Sequence, residues 1–232
     1  MELVLKEGES AETLFGDKII IQNASLYRFT SDSILLSRFA KGKLKDSVAD
    51  FCSGSGVVGF HFLCLNPHVS SLTLFELQPA LADMSRRTAE YNGFNVNVVE
   101  GRVQDAGAEY DGKFSLILCN PPYERGGFEN CVYERAICRK EITVTLPEII
   151  AASAKKLKFG GRLAMVNRAD RLAEMFYTFK AHGLEPKRMQ FIKGGANAAP
   201  YAVMAEAVKG GKPSLEVLPD IVNNAENGGG TV

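Results

Sequence analysis

Two short stretches carry residue types that chemistry needs. The first is Asp50-Phe51-Cys52-Ser53-Gly54-Ser55-Gly56-Val57-Val58-Gly59, a glycine-rich turn after an apolar run. Its glycines let backbone approach a ligand closely. Glu76 lies 20 residues beyond Gly56, where a carboxylate ending the next strand accepts both hydroxyls of a ribose. The pair points to a nucleoside-type cofactor, although a Gly-x-Gly match alone can be a mere tight turn. Gly54 to Gly59 fits the dinucleotide fingerprint, yet Asp50 at the head of the loop would repel a pyrophosphate. Beside a cationic sulfonium the same carboxylate is favourable.

The second stretch is Asn120-Pro121-Pro122-Tyr123. Read structurally, it is a proline-rich loop that ends a strand. Read chemically, each position has a use. An exocyclic amine conjugated to a ring is a poor nucleophile, because its lone pair is delocalised. The Asn120 side-chain oxygen and the Pro121 carbonyl can accept its two N–H bonds, turning the lone pair toward a methyl donor. The prolines, Pro121 and Pro122, keep those acceptors preorganised. Tyr123 offers a flat face for stacking a ring. No strong general base is required, since the proton becomes acidic once the nitrogen is alkylated.

These motifs need strands and helices to hold them, and the pattern supplies both. Val48 to Cys52 reads as a buried strand, followed by an apolar segment from Val57 to Leu65. Leu72 to Leu77 is a second strand; Pro79 opens a helix that runs to Asn92 and stops at Gly93. Val96 to Val99 and Phe114 to Cys119 supply strands three and four. Thr145 with Glu148 forms a capping box for a helix expected to end at Gly160-Gly161. Arg162 to Val166 is a fifth strand and Ala173 to Ala181 a further helix, while Met189 to Ile192 and Ala202 to Ala207 are expected to close the sheet antiparallel. Such alternation implies an α/β fold, a mostly parallel sheet with helices on both faces. Ligands of such sheets sit at the carboxyl ends of the strands.

Taken together, the Asp50 to Gly56 loop, Glu76 and Asn120 to Tyr123 resemble the class I S-adenosylmethionine-dependent methyltransferases that act on planar amines. Further stretches resemble the bacterial family that methylates adenine 37 of valine tRNA: Leu26 to Ala40, Glu90 to Gly93, Ala136 to Glu141 and Gly211 to Pro213. The resemblance implies a Rossmann-like, seven-stranded sheet and S-adenosylmethionine as cofactor. It implies that Asp50, Cys52, Gly54, Gly56, Glu76, Leu77, Val103, Asp105 and Asn120 line the cofactor site. Phe29, Thr30 and Asp32 would lie over it, with Asp32 near its cationic end. Asn120 to Tyr123 would hold the adenine amine, and Arg139, Arg168 and Arg171 would face RNA. One position departs from the pattern: similar enzymes have Gly-Asp after strand three, where this chain has Gly101-Arg102. Asp105 or a backbone carbonyl near Val103 would then anchor the cofactor adenine. The expected organisation is an N-terminal segment 1–47 over the cofactor, a catalytic domain 48–220 and a flexible tail 221–232.

Composition sets the remaining bounds. The chain has 232 residues, 46% hydrophobic and 23% charged, which suits a globular fold and argues against wholesale disorder. No apolar run approaches the roughly 18–20 residues that cross a bilayer, and the acidic start lacks the features of a secretion signal. Five cysteines without a CxxC pair and only three histidines (His61, His68, His182) leave no expected disulfide framework or metal site. The expectation is a cytoplasmic protein acting on tRNA, with no membrane or metal partner. Glutamine methylation of a release factor is the main rival, and a non-catalytic RNA-binding module a second. The 27 basic and 27 acidic side chains cancel, but residues 135–193 hold 13 basic against 5 acidic. That segment is net +8, offset by −8 elsewhere, so a one-sided, salt-sensitive RNA contact is expected.

Overall fold

The computed structural model describes residues 3–26, 30–122 and 144–223. In chain order it holds β1 (Glu9–Phe15), β2 (Lys18–Asn23), α1 (Ser31–Phe39), β3 (Ser47–Phe51), α2 (Val57–Leu65), β4 (Ser71–Glu76), α3 (Pro79–Asn92), β5 (Val96–Glu100), β6 (Phe114–Cys119), α4 (Leu146–Lys156), β7 (Leu157–Arg168), α5 (Leu172–Ala181), β8 (Leu184–Lys193), β9 (Pro200–Lys209), β10 (Glu216–Val217) and β11 (Ile221–Val222).

One sheet runs β10-β8-β9-β7-β6-β3-β4-β5, with β11 also pairing β8. Strands β5, β4, β3, β6 and β7 are mutually parallel. β9 is antiparallel to β7 and β8. This is the expected α/β, Rossmann-like sheet of seven strands, extended to nine by two short additions. After Gly210 the chain runs back beside β8, where β10 and β11 pair in parallel over two residues each. The extra strands cover part of an edge that would otherwise expose unpaired backbone.

Residues alternate between the two faces. Val48, Leu74, Leu116 and Leu118 pack with residues of α1 and α2. Ala49, Phe51, Ile117 and Cys119 pack with residues of α4 and α5. Helices therefore cover both faces. The chain order reverses between β3 and β6, which opens a crevice at their carboxyl ends.

Local signals explain most boundaries. Gly93 ends α3 with φ 72°, a left-handed turn that glycine adopts without strain. The Thr145–Glu148 capping box is formed. The expected end of α4 is corrected: the helix stops at Lys156. The buried Lys156 amine donates to the Ala106 and Gly107 carbonyls and to Asp111. Leu157 already pairs with Phe114 in β7. The Gly160-Gly161 pair instead sits inside β7, where the register with β6 shifts between Phe114 and Leu116. A bulge uses glycine as readily as a helix end does. The sequence reading also missed the β1–β2 hairpin. Its edge is satisfied by α3, since the Ile19 N–H donates to Asn92 Oδ1 and the Ile21 N–H to Thr88 Oγ. The tail expected from residue 221 begins inside the sheet, as β11.

Candidate active site

The turn after β3 is built on left-handed backbone at Cys52 (φ 58°), Gly54 (φ 58°) and Gly56 (φ 88°). A Cβ on Gly56 would lie 2.5 Å from the Phe60 ring, so that position admits only glycine. Two buried carboxylates brace the turn. Asp50 Oδ2 accepts the Gly59 N–H at 2.9 Å, tying β3 to α2. Glu76 Oε2 accepts the Gly54 N–H and Oε1 the Gln78 N–H, each at 2.8 Å. Burial pushes Asp50 up to about 8, opposed by the Gly59 N–H and reinforced by the Glu76 charge. Burial likewise lifts Glu76 to about 7, against N–H bonds from Gln78, Gly54 and Leu77. Asp50 Oδ1 and Ser53 Oγ are buried with no hydrogen-bond partner. Unpaired acceptors beside a raised carboxylate fit a ligand carrying hydroxyls and positive charge.

Beyond β5, Gly101 donates its N–H to the Glu76 carbonyl at 2.9 Å. Val103 is buried, and Asp105 lies largely in solvent, 3.8 Å from Arg102. Lys156 holds the following segment through Ala106 and Gly107.

Asn120 stands at the carboxyl end of β6, next to buried Pro121 and Pro122. Its Nδ2 donates to Ser33 Oγ of α1 at 2.9 Å, while its Oδ1 is buried without a partner. The Cys119 thiol beneath it is pushed well up by burial and by neighbouring Cys52. Tyr123 and Arg139, together with Phe29, lie outside the described residues.

Helix α1 crosses the same crevice. Asp32 is 5% exposed, and its Oδ1 accepts the Tyr201 hydroxyl of β9 at 2.8 Å. Burial, helped by the Asp32 charge, lifts Tyr201 to about 12. Asn223 donates to Tyr201 and to Ser31 Oγ. Arg168 and Arg171 follow β7 but differ in kind. Arg168 pairs with Asp170 and is about half exposed. The Arg171 side chain is 4% exposed and grips Glu174. Sequence reasoning missed Ser33 and Tyr201 as partners. A polar Thr30-Ser31-Asp32-Ser33 run ahead of an apolar helix reads first as a capping signal.

Among the described residues no group of three or more His, Cys, Asp and Glu side chains is placed to hold a metal ion, and no helix is long and apolar enough to cross a membrane. The crevice thus joins two buried acids, a left-handed turn and an unpaired amide oxygen. It can hold a nucleoside with a cationic centre on one side and an amine on the other.

Comparison with known proteins bears on the family and the fold. A tRNA1(Val) (adenine(37)-N6)-methyltransferase from Porphyromonas gingivalis is 24% identical over 196 residues, covering 81% of this chain and 76% of that protein. The ribosomal RNA small subunit methyltransferase C of Serratia proteamaculans is 30% identical over 138 residues, 59% of this chain and 35% of that protein. Among solved structures, a predicted O-methyltransferase from Agrobacterium tumefaciens has a TM-score of 0.66 at 17% identity, covering 82% of this chain and 86% of that one. Pyrococcus horikoshii TYW2 in complex with MeSAdo has a TM-score of 0.62 at 14% identity, covering 89% and 73%. The methyltransferase small domain model matches residues 30–180, well over half of the chain. With the loop, the acids and the sheet order in place, the chain belongs to the methyltransferase small domain family, whose methyl donor is S-adenosylmethionine.

Proposed function

We propose that the protein methylates N6 of adenine in tRNA, at adenine 37 of valine tRNA. The observation that carries the reading is the buried, partnerless Asn120 Oδ1 beside Pro121 and Pro122. It is an acceptor preorganised for an N–H donor, and it lies at the switch point where β6 meets β3. The curated relatives that act on adenine 37 support the substrate.

S-adenosylmethionine supplies an electrophilic methyl group on a sulfonium. Glu76 would accept the ribose hydroxyls, Asp32 would bring negative charge, Asp50 would ionise as the cationic centre offsets its burial, and Gly54 and Gly56 would admit the ligand to the backbone. Val103, Asp105 and Leu77 would border its base. Asn120 Oδ1 and the Pro121 carbonyl would take the two N–H bonds of the adenine amine, aiming its lone pair across the crevice. Tyr123 would stack on the adenine once it has left the anticodon loop. The segment 1–47 would roof the site through Asp32. Arg139 and Arg168 would meet phosphates on the basic side, in the cytoplasm where tRNA is found.

Labelled S-adenosylmethionine offered with unmodified total tRNA, ribosomal RNA or a release factor decides the acceptor. Label in N6-methyladenosine of valine tRNA is expected. Label only on glutamine, or only in ribosomal RNA, overturns the assignment.

A further inference from the structure

The Asn120 amide has two ends of opposite character, and only one of them can receive an amine N–H. Presented the other way round, its own NH2 would oppose the incoming donor. In this protein the choice is made by a residue 87 positions away in sequence. Nδ2 donates to Ser33 Oγ at 2.9 Å, which leaves Oδ1 buried and unpaired.

We propose that Ser33 is a positioning residue for the methyl acceptor: its hydroxyl holds the Asn120 amide with Oδ1 turned to the substrate amine. The proposal rests on the amine-methylating reading above. A positioning group must itself be fixed, and Ser33 is. It is 1% exposed on the first turn of α1. At the far end of the helix, the Arg188 guanidinium lies 4.7 Å over the Phe39 ring and donates to the Phe39 carbonyl at 3.2 Å. Arg162 donates to the Lys41 carbonyl at 2.6 Å and to Asp46, anchoring the next residues to β7. In the middle, Ser37 Oγ is hydrogen-bonded to His61 Nδ1 of α2 at 2.6 Å. At the near end, Asp32 accepts from Tyr201. The helix is thus held to α2, β7, β8 and β9, and its serine hydroxyl sits where a rigid acceptor is needed.

Removing the hydroxyl leaves a buried NH2 without its acceptor, so the amide loses its preferred orientation. Ser33→Ala should lower kcat about tenfold, the scale of one hydrogen bond that sets a reacting group. Cofactor affinity by calorimetry and tRNA affinity should stay within about twofold, because the serine touches neither. Ser33→Thr, which keeps the hydroxyl, should recover most of the rate. In the Asn120→Ala background Ser33→Ala should cost nothing more, since coupled residues are not additive. An independent readout is the Asn120 side-chain NH2 in nitrogen-15 spectra, identified by its loss in Asn120→Ala. Its hydrogen exchange should be slow in the wild type and fast in Ser33→Ala.

An unchanged kcat and NH2 exchange in Ser33→Ala overturns the proposal, as does an equal rate loss with and without Asn120, which would mean only general packing of α1. If the wild type labels release-factor glutamine and not RNA, the adenine reading falls. The same five proteins then test Ser33 on that amide, which needs the same acceptor. A wild type that transfers to none of these acceptors overturns both.

Discussion

Affinity for S-adenosylmethionine should rise with pH between 6 and 8, and Glu76 should be responsible for about tenfold of that rise. Ribose hydroxyls are donors that bind best to an ionised carboxylate, and the Glu76 oxygens lie against the Gly54 and Gln78 N–H groups at 2.8 Å. Burial holds this carboxyl at about 7. At pH 6 about a tenth of it is ionised and at pH 8 about nine tenths, so the competent fraction changes about tenfold. Folding stability runs the other way. A carboxyl raised on folding contributes most below its ordinary value and loses that contribution as pH rises through the folded one. The cofactor-free protein should therefore melt lower at pH 8 than at pH 6 on account of Glu76, while the Tm gain from cofactor grows. Calorimetry in buffers of different ionisation heat should show net proton release near pH 7. The amine of the cofactor adds its own pH dependence, which remains in Glu76→Gln. Asp50, held at about 8, keeps the burial that dominates its shift and loses only the smaller push from the Glu76 charge. The difference between the two proteins reports Glu76 together with its smaller push on Asp50. Equal pH slopes in wild type and Glu76→Gln would refute the reasoning.

Two further perturbations separate packing from binding. A Cβ on Gly59 would lie 2.7 Å from Leu74 Cδ2 and 3.1 Å from Asp50 Oδ2. Overpacking of about 1–3 kcal/mol then outweighs the gain of about 1 kcal/mol in helix propensity. Gly59→Ala should lower Tm by a few degrees and weaken cofactor binding by disturbing the Asp50 bond; a higher Tm would show that α2 moves away freely. Arg168→Ala should reduce the salt slope of tRNA binding by about one phosphate contact. Arg171→Ala should leave that slope alone and lower Tm, because its guanidinium is buried on Glu174. Equal slopes for the two variants would count against the rim being an RNA contact.

Much of the frame was legible because its signals are local. Pro79 and Gly93 bracket α3, and Thr145 with Glu148 caps α4, through contacts spanning a few residues. The Asp50 to Gly56 turn and Glu76 were readable for the same reason: a strand end, glycines and an acid at fixed spacing. Gly160-Gly161 misled because a bulge and a helix end ask the same thing of the backbone. The pairings of Asn120 with Ser33 and of Tyr201 with Asp32 were invisible for another reason. They join residues 87 and 169 apart, and serine and tyrosine carry no mark of the partner that folding brings to them. Arg171 was expected to face RNA, yet its side chain is buried and paired with Glu174, three residues along the chain.

The distribution of unsatisfied groups ties fold and chemistry together. Among the described residues five buried side-chain atoms lack a hydrogen-bond partner: Asp50 Oδ1, Ser53 Oγ, Asn120 Oδ1, Asn167 Nδ2 and Glu206 Oε2. Each such atom costs about 1–3 kcal/mol when buried away from water, so a stable fold tolerates few of them. Glu206 is the exception in kind, because it lies between Arg162 at 3.7 Å and Arg188 at 3.6 Å and gains from their charge. The other four fall at or just beyond the carboxyl ends of β3, β6 and β7. Asn167 sits two residues past Met165, which pairs with Cys119 of β6, so it is level with the prolines after Asn120. Three are oxygens able to accept hydrogen bonds from hydroxyls or an amine, and one is a donor able to meet a ring nitrogen. A sheet stabilised for its own sake would have paired these atoms or replaced them with apolar groups. Their concentration at one rim supports the proposed site, whose ligands would supply the missing hydrogen bonds.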